Sequence, residues 1–217
     1  MHEAVQYSKA VYDLIEQAKP ATAKRIVEFG AGDGAFARLF KNKGTAVDCV
    51  EIDNSLRTVL GNHGLCVFRD IREIESESCD FIYTINVLEH IPDLEREVVE
   101  LRRTLRKDGT LFVFVPAFRM LWTSLDDETK HITRFTRNTL LSALRGGGFE
   151  VTRMEYFDTL GFPACLAVRF MEALNVFRYE ANSVRFYDRC VFPISHKLDG
   201  VFRHLLGKNL IAFARRA

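Results

Sequence analysis

The run RIVEFGAGDGAFARLF, from Arg25 to Phe40, decides how the rest of the chain is read. Ile26, Val27 and Phe29 form a short apolar stretch that ends in Gly30, Gly32 and Gly34, and Ala35–Phe40 then resumes with helical spacing. A buried parallel strand, a tight glycine turn and a helix N-terminus produce that pattern. Glycines at such a turn accept positive φ and let a ligand approach bare backbone. The free N–H groups of the following helix face the same crevice, which in an open α/β sheet lies at a strand's carboxyl end and takes a nucleotide-type ligand. Gly30, Gly32 and Ala35 satisfy the loose G-x-G-x-x-G/A dinucleotide fingerprint. Glu28 shifts the reading, because a carboxylate two residues before the first glycine suits a ligand with a cationic amino group. Asp33, inside the turn, suits a pyrophosphate poorly, since like charges repel.

Outward from that stretch, strands and helices alternate. Val5, Val11, Tyr12, Leu14, Ile15 and Ala18 share one side of a helix over His2–Ala18, which Pro20 ends. Ala46–Ile52 reads as the second strand. It closes on Glu51, Ile52 and Asp53, about 20 positions past the glycines, where a carboxylate holds ribose hydroxyls. Glu51 fits that task at the strand end, with Ile52 beside it, and Asp53 or Asn54 fits the cap of a helix Ser55–Leu60. Leu65–Phe68 is a third strand, followed by Asp70 and Ile71. Phe81–Ile85 is a fourth, delivering Asn86 to the edge beside the glycine turn. There Asn86 offers a backbone carbonyl to a cationic group, with Val87 and Leu88 packed below it; His90 either faces the ligand or caps a turn. Leu94–Leu105 is an amphipathic helix, Lys107–Gly109 a turn, and Thr110–Val115 a fifth strand, apolar throughout and therefore central. The connection from Ala117 to Asn138 leaves the same sheet edge. Phe118, Trp122, Asp126, His131 and Arg134 give it apolar walls and ionisable groups together, the composition of a pocket. A helix Leu140–Arg145 capped by Thr136 and a sixth strand Phe149–Phe157 follow, and Asn209–Arg215 supplies a final, returning strand.

At 217 residues and 47% apolar content, one domain with a substantial core is expected. A net charge of +1 argues against a dedicated nucleic-acid binder. The total conceals an asymmetry: from Thr159 onward nine Lys/Arg face four Asp/Glu, so that segment carries +5 and residues 1–158 carry −4. The five cysteines are odd in number and lack metal-ligand spacing, so reduced core thiols in a cytoplasmic setting are expected. No His, Asp or Cys cluster has ligand spacing either, and no metal is expected. The first 25 residues are charged and amphipathic, unlike a signal peptide, and no apolar run reaches the roughly 18 residues of a spanning helix.

The ordered set VEFGAGDG, the acidic end of DCVEID, FRDI and INVLEHIPD resembles the class I S-adenosylmethionine-dependent methyltransferases of the type 11/12-like branch, over about Val5 to Phe157. The resemblance implies a Rossmann-like α/β fold, a seven-stranded and mostly parallel sheet with an antiparallel last strand. It implies S-adenosyl-L-methionine as cofactor and Gly30, Gly32 and Gly34 around its methionine portion. It further implies Tyr7 as an aromatic over the cofactor, Asp70 reading the adenine amino group and the Ile71 backbone meeting the ring. There is no Asn-Pro-Pro-aromatic tetrad, so the usual marker of nucleic-acid base methylation is missing. SLDDETKHITRFT and the tail GKNLIAFARR resemble a subgroup associated with glycan or lipid-linked sugar biosynthesis, although Lys130 and Phe135 stand where that subgroup more often has Gly and Tyr. The expected activity is therefore methyl transfer to a small-molecule, sugar or lipid-linked acceptor, on oxygen or nitrogen. His131 would be the general base and Asp126 its orienting partner; Phe118, Trp122, His131 and Arg134 would meet the substrate. The alternatives are an NAD-dependent oxidoreductase and a non-catalytic cofactor-binding or membrane-docking module.

Between the sixth strand and the last lie about 50 residues, 159–208, where the resembling fold has a short hairpin. Phe162–Phe177 is nearly all apolar, and Ile194, Leu198, Val201, Phe202, Leu205 and Leu206 form a helical stripe flanked by Lys197, Arg203, His204 and Lys208. This helical insert is expected to cover the substrate side. Its excess apolar surface must pack on the domain, on a partner subunit of a homodimer, or on a bilayer interface as a peripheral contact.

Overall fold

A computed structural model describes residues 4–176 and 181–217. Seven strands form one sheet: β1 (Ile26–Phe29), β2 (Asp48–Val50), β3 (Cys66–Phe68), β4 (Cys79–Ile85), β5 (Leu105–Pro116), β6 (Phe149–Phe157) and β7 (Asn209–Arg216). Their order is β3-β2-β1-β4-β5-β7-β6. The β2–β1, β3–β2, β1–β4 and β4–β5 pairs are parallel, and only β7, between β5 and β6, runs antiparallel. This is the expected fold.

The strands read as apolar runs because both faces of the sheet are covered. On one face Ile26, Phe81, Tyr83, Phe112 and Phe114 pack under α1 (Val5–Ala18), α2 (Ala35–Asn42) and α3 (Asn54–Asn62). On the other, Val27, Ile82, Leu111 and Val113 pack under α4 (Leu94–Thr104) and, past the short α5 (Ser124–Glu128), under α6 (Arg137–Gly146). β5 begins earlier than its apolar run, because Leu105 already pairs with Cys79. The ladder then breaks and resumes at Phe81–Thr110, with the expected turn, Asp108 at φ 63°, looped out between. β3 is an edge strand, so Cys66 is exposed, as is Cys190; only Cys49 and Cys79 are buried thiols.

The described part of residues 159–208 is largely helical, as α7 (Gly161–Ala173), α8 (Ala181–Phe186), a π-helical turn Tyr187–Val191 and α9 (Phe192–Phe202). Phe177 and His2, expected at the ends of helices, fall outside the described residues. Of the three coverings expected for the apolar stripe, packing on the domain is not the one found for Ile194, Val201, Phe202 and Leu205, which are exposed, while Phe192, Ser195 and Asp199 face inward. The reason is hydrogen bonding. Asp199 accepts from the Thr159 N–H (2.8 Å) and hydroxyl (2.7 Å), and the Ser195 hydroxyl donates to Asp158 (2.6 Å) and accepts from the Leu160 N–H (2.8 Å). These bonds satisfy buried backbone donors at the β6–α7 junction that an apolar face would leave unpaired. The insert also caps α1. No side chain of its own caps that helix, and the buried Asp188 carboxylate accepts from the N–H groups of Gln6 (3.0 Å) and Tyr7 (2.8 Å).

Candidate active site

The glycine turn sits where the strand order reverses, between β2 and β4 on either side of β1, the crevice such sheets use for ligands. Gly30, Gly32 and Gly34 have φ of 78°, 55° and 76°. A Cβ on Gly30 would lie 2.3 Å from Val87 Cγ2, whereas one on Gly32 would meet nothing within 4 Å. Gly30 is therefore required by close packing on Val87, and Gly32 by its backbone angle beside open space. The turn is pinned by the Gly30 and Ala31 N–H groups, which donate to the Val50 carbonyl at 2.9 and 3.1 Å.

Two carboxylates serve the turn differently. Glu28 lies beneath it, accepting from the Ala37 N–H of α2 (3.1 Å) and the Tyr83 hydroxyl (3.0 Å), and burial pushes its carboxyl up to about 8. Glu51 stands at the mouth, accepting from the Gly32 N–H (2.8 Å) with one oxygen and from the Asp53 N–H (2.9 Å) with the other. Asp53 itself caps α3. Ile52 is 81% exposed, an apolar side chain held in solvent at the sheet edge. Asn86 adopts φ 53° as β4 ends and is exposed, with Val87 half-buried beside it.

Other expected site residues are occupied locally. Asp70 caps the short helix Ile71–Glu73 and pairs with Arg72 (2.8 Å), and Ile71 is fully buried. Tyr7 packs against Phe157 and Phe192, donates its hydroxyl to Asn209 (2.7 Å) and lies under the Lys208 ammonium.

The loop after β5 folds back through a Phe135–Pro116 backbone hydrogen bond (2.9 Å) and closes over β4's exit. Asp126 is its hub. Its buried carboxylate accepts from His131 Nδ1 (2.7 Å), from Arg134 Nε (2.7 Å) and Nη2 (2.9 Å), and from the Thr123 N–H (2.8 Å). Burial alone would raise its pKa, but the Arg134 guanidinium holds it below the usual range. Arg134, expected on the pocket wall, is instead the clamp on Asp126, with a side chain only 9% exposed. Since a carboxylate only accepts, His131 carries its proton on Nδ1 and presents a bare Nε2. Trp122 stands edge-on to His131, its indole N–H on Asp127 (2.9 Å), and Phe118 stacks on Tyr156.

Opposite His131 is a residue that the sequence reading passed over. Glu89, in the short helix Leu88–His90, is fully buried, and neither carboxylate oxygen has a hydrogen-bond partner among the described residues. Its Oε1 lies 3.7 Å from His131 Nε2, and burial pushes its carboxyl up to about 8. The Glu89 carbonyl anchors the loop by accepting from the Ile132 N–H (2.8 Å). His90, left open by the sequence, packs edge-on to His131, and burial lowers its pKa. The only sequence signal for this meeting was the adjacency of Glu89 and His90, because His131 arrives from another loop.

Residues 2–154 match a family model described as a methyltransferase domain. A ubiquinone biosynthesis O-methyltransferase from Hahella chejuensis is 24% identical over 110 residues, 46% of this chain and 46% of that protein, so the matched stretch spans about half the relative's length. Among solved structures, a SAM-dependent methyltransferase from Archaeoglobus fulgidus superposes with a TM-score of 0.64 at 18% identity, covering 95% of this chain and 93% of that one. A geranyl diphosphate C-methyltransferase from Streptomyces coelicolor superposes with a TM-score of 0.68 at 10% identity, covering 97% and 81%.

Proposed function

This chain belongs to the methyltransferase-domain family of S-adenosylmethionine-dependent enzymes, and from that premise we propose that it methylates a hydroxyl on a small, largely apolar or lipid-linked acceptor. The family match overturns the nicotinamide alternative. The observation that carries the reading is the pairing of an open glycine turn with a buried Glu51 carboxylate at its mouth.

The residues present fit the cofactor. The backbone of Gly30–Gly34 and the Asn86 carbonyl suit its methionine portion, Glu51 its ribose hydroxyls, and the exposed Ile52 an apolar contact for adenine; Glu28 and Val87 support the turn through Ala37 and Gly30, while Tyr7, Asp70 and Ile71 are held by Asn209, Arg72 and the core. When bound, S-adenosylmethionine supplies an electrophilic methyl group on a sulfonium. The chain's own task is to place the acceptor in line and to take its proton. His131 suits the second task, with Nδ1 fixed by Asp126 and Nε2 left basic. Trp122 and Phe118 supply an apolar wall. The insert lies on this side: Ser124 hydrogen bonds Glu172 (2.6 Å), and Arg169 donates to the Met120 carbonyl. An oxygen acceptor is favoured by the relative named as an O-methyltransferase, and an apolar body by the exposed apolar side chains of the insert.

Two measurements test this. Glu51→Ala removes a charge-assisted bidentate contact and should weaken S-adenosylmethionine binding by about 1.5–3 kcal/mol, a tenfold or greater rise in Kd by calorimetry. Radiolabelled methyl transfer to fractionated lipid, glycan and phenolic extracts should label one class; cofactor binding with no labelled acceptor in any fraction would leave a binding module instead.

A further inference from the structure

We propose that Glu89, His90 and His131 form a binding site for a divalent first-row transition ion. Spacing along the chain gave no such expectation, because the fold, and not the sequence, brings residue 131 to residues 89 and 90. One ligand atom from each of the three lies within 4.8 Å of the others. A tetrahedral site with bonds of ~2.1 Å separates its donors by roughly 3.4 Å, so side-chain adjustments of about an ångström close it.

Three features make this a built site. Glu89 is fully buried, with both carboxylate oxygens unpartnered among the described residues; a buried acceptor in that state is costly unless something binds it. Both imidazoles are pre-set as ligands. His90 Nδ1 lies 3.3 Å from the Lys130 carbonyl and His131 Nδ1 lies 2.7 Å from Asp126; each partner only accepts, so both protons sit on Nδ1 and both Nε2 lone pairs are free. The Asp126–His131 pair is the carboxylate–histidine arrangement that orients metal ligands and raises their basicity, and Arg134 in turn fixes Asp126. Finally, Glu89 Oε1 and His131 Nε2 face each other at 3.7 Å, two potential ligand atoms directed at the same space.

Two imidazoles and one carboxylate favour Zn²⁺, Co²⁺ or Mn²⁺ over the all-oxygen preference of Mg²⁺. Three protein ligands leave a coordination position open. Resting on the methyl-transfer reading, that position would take the acceptor hydroxyl, whose proton a bound dication makes easier to lose to solvent water; His131, its Nε2 then a ligand, would act as base only with the site empty. The existence of the site does not depend on that use.

The test reads metal alone, with no acceptor present. The full chain, stripped with a chelator and dialysed, is titrated with Zn²⁺ by calorimetry and with Co²⁺ by visible absorption. One equivalent should bind, with a Co²⁺ d–d spectrum of imidazole–carboxylate character. Glu89→Gln and His90→Gln, checked for folding by circular dichroism, should weaken binding at least about 10–100-fold, and Asp126→Asn should weaken it within that range. No binding of either ion to the folded wild type overturns the proposal, as does unchanged affinity in folded Glu89→Gln. Methyl transfer lost when the site is filled would overturn the use of the open position for the acceptor and leave the metal site standing.

Discussion

Glu28 and Lys130 show how single positions carry the cost of the site's shape. Glu28 is buried, and its folded pKa of about 8 lies above the ordinary 4.5. The folded state therefore holds a proton that the unfolded chain releases, so the contribution to stability is complete below pH 4.5 and is lost as pH rises toward 8. Urea unfolding at pH 5 and pH 8.5 should show a loss on the order of a few kcal/mol, and Glu28→Gln, which keeps an oxygen for Ala37 and Tyr83, should flatten it. Lys130 adopts φ 60° beside His131, at the position where the resembling subgroup more often has glycine. Left-handed backbone costs a side-chain-bearing residue roughly 1–2 kcal/mol. Lys130→Gly should accordingly raise the unfolding free energy by up to ~1 kcal/mol after the extra entropy of glycine is deducted, measured by denaturant titration.

At the scale of elements, the insert is fastened to the domain by polar groups. Asp158 is fully buried and adopts φ 62°. It accepts from the Tyr187 hydroxyl (2.6 Å), the Ser195 hydroxyl (2.6 Å) and the Gly161 N–H (3.1 Å), and it pairs with Lys208 (3.1 Å). Removing one charge of a buried pair leaves the other uncompensated, so Asp158→Asn should cost about 3–5 kcal/mol, read as a fall in the urea midpoint. Asp188→Ala removes the cap of α1 and should cost about 0.5–2 kcal/mol. In hydrogen exchange the new opening should be confined to the first turn of α1 and the 187–191 turn. Neither anchor was legible along the chain, because each links residues far apart in sequence.

For the molecule as a whole, the distribution of apolar surface decides what the insert presents. Phe170, Leu174, Val176, Val184, Phe186, Ile194, Val201, Phe202 and Leu205 are exposed, more than half of the large exposed apolar side chains among the described residues. They lie in the segment that, with β7, carries the chain's positive excess. Among the described residues no helix is long and apolar enough to cross a membrane; the contact proposed for this exposed apolar and basic surface is interfacial. Each basic group near an anionic surface contributes about 1 kcal/mol. The chain should therefore co-sediment with anionic vesicles at low salt and be released at high salt, and Val201→Asp with Leu205→Asp should abolish binding without unfolding the domain. Absence of sedimentation, together with a dimer in light scattering that the same pair of substitutions dissociates, would assign the surface to a second copy of the chain.

The sequence by itself determined the fold and the glycine turn. Apolar runs alternating with amphipathic helices describe a sheet covered on both faces, and Gly30, Gly32 and Gly34 mark left-handed backbone that few other residues adopt. Helix ends were legible where a cap lies beside its helix, as at Asp53 and Thr136. Tertiary structure alone decided the rest. The inward face of α9, left open along the chain, was decided by buried donors at the β6–α7 junction, which needed Asp199 and Ser195 more than the core needed Ile194 and Val201. Arg134 was placed on a pocket wall because its partner, Asp126, is reached only when the loop folds back. Glu89 was passed over because a carboxylate in Val-Leu-Glu-His-Ile carries no signal of burial until His131 is laid against it.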